Sequence, residues 1–214
     1  MMIRNKYPSS SIYHLCNKSI ANFKIFRDEI FTSRFITTLD YYNRKKIKRS
    51  LSDYLKSKEY IVENLLYPTD SLVKFLAYCI MPDHYHLLVK INAENSLSRY
   101  LNNVENSFTR FFNLKNYRKG PLWQSRFKSV LIESNEQLLH VTRYIHLNPT
   151  SSRLVTTPED WNFSSYRDYI NGNQFLKEIL VEVSIKNPVI YKKFVDDQSD
   201  YQKRLKSLKK LLLD

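Results

Sequence analysis

The chain has 214 residues, 43% hydrophobic and 26% charged, enough for one substantial domain with an appendage. No apolar run approaches the roughly 20 residues that cross a bilayer, and the first residues hold no apolar stretch fit for a signal sequence, so a soluble, cytoplasmic protein is expected. Lys plus Arg is 34 against 21 Asp plus Glu, a formal charge of +13 that attracts polyanions, nucleic acid first, while only 2 glycines exclude the Gly-rich loops of Rossmann and P-loop chemistry.

Residues 11–17 read as a first strand. Residues 26–47 read as a helix with Phe31, Phe35, Ile36 and Leu39 on one side, followed by a basic run that includes Arg44, Lys45 and Lys46. A second helix is expected over about 49–66, broken by Pro68 and Asp70. Residues 72–80 and 84–91 form two apolar strands around the turn Met81-Pro82-Asp83, a predicted hairpin. Over 96–113, Leu97, Leu101, Val104, Phe108 and Phe111 repeat at three- and four-residue spacing, which lays one apolar face along a helix. Residues 127–133 read as a strand. Ser134 and Gln137 form a capping box opening a helix that runs to Asn148, with Pro149 expected to stop it. Residues 175–214 read as helical with a basic end. Strands separated by helices in this order predict an α+β fold, a ferredoxin-like antiparallel sheet with packed helices. The expected division is a domain over 1–170 and a helical, basic C-terminal extension over 171–214.

Cys16 and Cys79 can build neither a disulfide framework nor a four-cysteine zinc site; their apolar surroundings suggest buried, reduced thiols. His84 and His86 stand two apart on a predicted strand, so both imidazoles share a face while Tyr85 takes the other. Such a pair can hold a divalent metal, and equally can be two half-exposed surface histidines. Tyr144 and Asn148 stand four apart on a predicted helix, with His140 one turn earlier. They can bring a phenol and an amide to a metal, or serve as an interfacial aromatic and a helix cap. Spacing alone leaves both pairs of readings open.

Taken together, the segments resemble a known family. Met81-Pro82-Asp83-His84-Tyr85-His86-Leu87-Leu88-Val89 is similar to the His-hydrophobic-His segment of the single-tyrosine HUH transposases. Residues 122–128 and Tyr144-Ile145-His146-Leu147-Asn148-Pro149 resemble the branch called REP-associated tyrosine transposases, as do Tyr13-His14, Pro158-Glu159-Asp160-Trp161 and Ser164-Ser165-Tyr166-Arg167. The resemblance spans about residues 7–170 in order and spacing. It departs from the pattern at Tyr85, which is larger and more polar than the usual aliphatic residue, and leaves the tail uncovered.

This resemblance implies an HUH endonuclease-type fold with His84 and His86 as metal ligands, Asn148 as the third, and Tyr144 as the nucleophile. Attack on DNA would leave a 5′-phosphotyrosine and a free 3′-hydroxyl. A free phenol ionises near pH 10, so only about 0.1% is phenolate at neutral pH and it needs a polarised phosphate to attack. Two imidazoles and an amide leave coordination positions open for phosphate and water, a set that tolerates Mg²⁺ and suits Mn²⁺. The implied substrate is single-stranded or hairpin DNA, because a flexible strand bends into a site at less cost than a duplex. Arg44, Lys45, Lys46, Arg110, Arg118, Lys119, Arg126 and Lys128 are candidate phosphate contacts, each equally readable as solvated charge. Tyr117 and Trp123 are candidates for stacking on bases, with core packing the favoured role of Trp123. Two other functions stay open at this point: an inactive binder of DNA hairpins, and a metal-dependent RNA-processing nuclease. Monomer and homodimer are both compatible with the sequence.

Overall fold

The structure is a computed structural model, and it describes residues 7–56, 70–171, 182, 183, 185 and 187–198. Its elements in chain order are β1 (Ile12–Lys18), α1 (Glu29–Tyr42), α2 (Leu51–Lys56), β2 (Val73–Ile80), β3 (His84–Ile91), α3 (Leu97–Lys115), β4 (Lys128–Ile132), α4 (Asn135–Ser151), α5 (Tyr166–Asn171) and α6 (Pro188–Asp196). The four strands form one antiparallel sheet in the order β2-β3-β1-β4. Two β-α-β crossovers that interleave central and edge strands make this the expected ferredoxin-like topology.

Alternation along the strands gives the sheet two different faces. On one, Leu15 of β1 and Tyr85, Leu87 and Val89 of β3 are buried, and α1 and α3 pack over them side by side. Aromatic rings fill that layer. Phe35 lies 5.3 Å from Tyr85 and 5.1 Å from Phe108, and Trp123 lies 5.6 Å from Tyr85. Trp123 therefore packs against the core, as expected. Each fully buried Phe or Leu contributes roughly 1.5–3 kcal/mol by leaving water. Tyr85 brings a hydroxyl into this apolar layer, where it donates to Glu105 of α3 at 2.7 Å.

On the other face lie His14, Cys16 and Lys18 of β1 and His84 and His86 of β3. The register pairs Cys16 with His86 and Lys18 with His84, and Cys79 of β2 pairs with His86 from the other side. Helix α4 covers this face, mainly over β2. The Ser134 hydroxyl accepts from Gln137 N at 3.1 Å, while the Gln137 side chain accepts from Glu133 N. The cap thus forms with its return bond shifted one residue from the expected box. Leu138 and Ile145 are buried under α4.

Several expected boundaries move. The helix expected over 26–47 is α1, Glu29–Tyr42; Phe26 instead turns its ring into the core against Phe35 at 4.8 Å. The helix expected over 49–66 is described as Leu51–Lys56, and its remainder lies outside the described residues. Pro149 does not stop α4, which continues to Ser151. A proline so near the C-terminus deletes one hydrogen bond, and Ser152 N still closes onto Asn148 O at 3.0 Å. Of the 175–214 tail expected to be helical, α6 is described, while 175–181, 184, 186 and 199–214 lie outside the described residues.

Candidate active site

A cavity of about 310 Å³ opens at the end of the sheet where β1 finishes and β3 begins. Cys16, Asn17, Lys18, His84, His86, Gln124, Ser125, Lys128, Tyr144 and Asn148 line it. Three pieces of chain supply these groups. The central strands β1 and β3 supply the floor. The segment before β4 is pinned alongside by Gln124 N donating to Lys18 O at 2.9 Å and Ile20 N to Leu122 O at 2.9 Å, which brings Gln124 and Ser125 to the rim. Helix α4 supplies Tyr144 and Asn148 from above.

The four residues singled out in the sequence therefore border one cavity. His84 and His86 lie with ring centroids 5.0 Å apart. The Tyr144 ring stands edge-on to His86 at 5.4 Å and is 40% exposed, whereas His86 and Asn148 are buried. His140 does not join them. It sits 2.7 Å from Arg143 and faces Phe194 of α6, with centroids 5.9 Å apart. Cys79 is buried and reduced as expected, but Cys16 is half-buried and lines the cavity.

Two further residues belong to the site. His14 Nε2 lies 3.0 Å from His86 Nδ1, and its ring stands edge-on to Tyr144 at 6.2 Å. Asp83 Oδ1 lies 2.5 Å from His84 Nδ1, and Lys18 pairs with Asp83 Oδ2 at 3.3 Å. In the sequence His14 carries a strand alternation that puts it on one face with Cys16 and, with Tyr13, a place among the segments that resemble the family, but neither assigns it to the site; Asp83 reads as a turn residue. Burial holds His14 down to about 4, so it is neutral at physiological pH. Burial opposes the charge on Asp83, but the hydrogen bond and charge of His84, aided by Lys18, outweigh it and hold the carboxyl below the usual range.

These donors suit a divalent cation. Each imidazole has Nδ1 engaged by a neighbour, an arrangement typical of metal-binding histidines. Among the described residues, no group of three His, Cys, Asp or Glu side chains is placed to hold a metal. A cation here would rest on His84, His86 and a neutral oxygen such as that of Asn148, with remaining positions left to phosphate and water.

The basic candidates divide by position. Lys128 lines the cavity, and Arg126, exposed, adjoins it in the rim segment. Arg110 lies near the end of α3, and Arg118 and Lys119 follow it in the loop leading to that rim. Arg118 is tied to Asn113 Oδ1 at 2.7 Å and to Pro121 O at 2.5 Å. Tyr117, in the same loop, is fully exposed. Arg44, Lys45 and Lys46 lie at the opposite end of the sheet, where Arg44 bridges to Ser71 just before β2. A strand length separates them from the cavity, roughly 20–25 Å. Lys45 pairs with Asp70, and Arg44 lies 3.8 Å from the buried Asp40.

Comparison with known proteins places this arrangement. Residues 36–148 match the family described as Transposase IS200 like. A protein of Haemophilus influenzae (strain ATCC 51907 / DSM 11121 / KW20 / Rd) named as a REP-associated tyrosine transposase is 30% identical over 134 residues, covering 56% of this chain and 73% of that protein. A solved structure of a REP-associated tyrosine transposase bound to a REP hairpin superposes with a TM-score of 0.56 at 17% identity, over 80% of this chain and 86% of the other. That superposition shows a shared fold. Among the described residues, no helix is long and apolar enough to cross a membrane.

Proposed function

Since the chain belongs to the IS200-like transposase family, in its REP-associated tyrosine branch, we propose that it is a metal-dependent single-stranded DNA endonuclease and strand transferase. It recognises a DNA hairpin and cleaves through a 5′-phosphotyrosine at Tyr144. The observation that supports this most directly is the Tyr144 ring 5.4 Å from His86, above a cavity that His84 and Asn148 also line. The proposed catalytic unit is residues 1–170, with 171–214 as an extension whose helix α6 braces α4.

The Tyr144 phenolic oxygen attacks the scissile phosphorus. The bond from phosphorus to the 3′-oxygen breaks, the phenol's proton leaves to solvent, and the departing 3′-oxygen takes up a proton. One phosphodiester replaces another, so the link can be passed to a second 3′-hydroxyl without ATP. A divalent cation, Mg²⁺ or Mn²⁺, held by His84, His86 and Asn148, would supply Lewis-acid polarisation of the phosphate. Lys128 and Lys18 offer positive charge to the phosphate oxygens within the cavity, while Gln124 and Ser125 offer hydrogen bonds along the strand. Arg110, Arg118, Lys119 and Arg126 extend a phosphate-binding track from the cavity. Arg44, Lys45 and Lys46 would meet only a distant part of a hairpin. Binding weakens steeply with added salt, because each neutralised phosphate releases counterions.

The test is to incubate the full chain with hairpin-bearing single-stranded DNA and Mg²⁺ or Mn²⁺, then separate products under denaturing conditions. A protein–DNA conjugate is expected from the unmodified chain and none from Tyr144→Phe. Hairpin binding with no conjugate from the unmodified chain would favour an inactive binder. Cleavage without conjugate, confined to substrates carrying a 2′-hydroxyl, would favour an RNA-processing nuclease.

A further inference from the structure

His84 and His86 are oriented by unlike partners. Asp83 accepts from His84 Nδ1, the usual carboxylate arrangement behind a metal-binding histidine. Behind His86 stands a third imidazole. His14 lies diagonally across the β1–β3 ladder, one two-residue step from Cys16, the direct partner of His86, a diagonal that aromatic side chains can span. Its Nε2 is 3.0 Å from His86 Nδ1 while the ring centroids are 5.1 Å apart and the planes differ by 22°. Nitrogens that close with centroids that far apart mean the rings meet edge to edge, in the plane where an N–H and a lone pair point.

One proton lies between these two nitrogens, and its owner determines what His86 presents to the cavity. If His14 donates, His86 in its neutral form carries its proton on Nε2 and offers the cavity an N–H. If His14 accepts, His86 carries the proton on Nδ1 and Nε2 holds the lone pair. We propose that His14 is a positioning residue for His86: His14 Nε2 accepts the His86 Nδ1 proton and keeps His86 in the form whose Nε2 can hold a cation. This rests on the reading of His84 and His86 as cation ligands. It assigns a function to the N-terminal strand, which lies outside the region 36–148 matched to the family. A neutral acceptor in place of a carboxylate adds no negative charge beside the phosphate-binding cavity.

The test uses the full chain and two variants, His14→Gln and His14→Leu. Gln places an oxygen acceptor near the position of Nε2; Leu fills the space without one. The readouts are Mn²⁺ affinity by paramagnetic resonance titration and the ¹⁵N shifts of His86 in the Mg²⁺-loaded unmodified protein. The expected results are a His86 proton on Nδ1, near-normal Mn²⁺ affinity in His14→Gln, and a loss of about 10–100-fold in His14→Leu, the usual effect of removing such a partner. A purely structural role would lower the melting temperature of both variants without separating their Mn²⁺ affinities. A His86 proton on Nε2, or equal Mn²⁺ affinity in His14→Leu and the unmodified chain, overturns the proposal. Should His14→Leu not fold, the tautomer in the unmodified protein and the His14→Gln titration still decide. These outcomes are distinct from failure of the proposed function, which shows as no Mn²⁺ binding or no DNA conjugate in the unmodified chain.

Discussion

The two halves of the candidate centre are held by different forces. His84 and His86 lie on β3, hydrogen-bonded to β2 on one side and β1 on the other. Their backbone positions are set by ladders on both flanks. Tyr144 and Asn148 ride on α4, which reaches the sheet through side chains alone. Ile145 and Leu138 pack below it. His146 is buried between Tyr191 of α6 at 2.6 Å and Ser165 at 2.8 Å, and the Arg143 guanidinium stacks 4.0 Å from the Phe194 ring. The imidazole half is therefore built into the sheet, while the phenol half is braced by α6, a helix outside the family-matched region. Damage to α6 should move the phenol and leave the imidazoles in place.

The sharpest break separates chemistry from cation binding. Tyr144→Phe should remove conjugate formation by on the order of 10³-fold or more, since loss of an enzyme's nucleophile costs up to roughly 10⁶. Mn²⁺ affinity, measured by resonance titration, should be unchanged. His86→Ala should abolish both, and a chain that kept its conjugate would uncouple the halves.

The next break falls on the α4–α6 contact. Tyr191→Phe removes one hydrogen bond and leaves a buried His146 nitrogen without that partner, an expected loss of about 1–3 kcal/mol in chemical denaturation. The conjugation rate should fall, with Mn²⁺ affinity unchanged. Equal loss of both would show that α6 supports the sheet as much as the helix.

Acid should affect the same contact. Burial pushes His146 down to about 3, against about 6.5 for an exposed histidine. Between these values the unfolded chain binds the proton and the folded one does not. Stability should thus be flat above about pH 6.5 and fall below it, by up to about 1.4 kcal/mol per pH unit for this group. His14, depressed to about 4 for the same reason, adds to the slope. Thermal melting of His146→Gln across this range should show a shallower decline.

The smallest effect is expected across the sheet, at Glu105. Its Oε1 accepts from both Asn17 Nδ2 and Tyr85 OH at 2.7 Å. Burial raises its pKa, outweighing those two bonds. The folded state then holds the proton more tightly than the unfolded, so stability declines as pH climbs from the ordinary glutamate range through the raised value. Glu105→Gln keeps an oxygen for both donors. It should flatten that decline and change stability at neutral pH by about 1 kcal/mol or less, with conjugation unaffected.

What the sequence disclosed follows the range of each signal. The 72–91 hairpin and the α3 stripe were legible because period-2 and period-3.6 patterns are local, and the placement of Tyr144 and Asn148 on one helix face came from the same rule. The partnership of His14 with His86 joins positions 72 residues apart, and no periodicity reports such a contact. Helical spacing groups His140 with Tyr144, but Arg143 of its own helix and Phe194 of α6 give it a competing environment. Arg44, Lys45 and Lys46 look the same as charges as Arg126 and Lys128, and only the strand register places the two groups at opposite ends of the sheet. Pro149 reads as a terminator, but one missing donor is tolerated in a last turn.

The central claim is that one particular phenol among 16 tyrosines meets DNA over the imidazole pair. Mass spectrometry of the protease-digested conjugate tests it most directly. The expected result is a single modified peptide, with a 5′-linked nucleotide on Tyr144. A nucleotide carried by any other side chain would contradict the account.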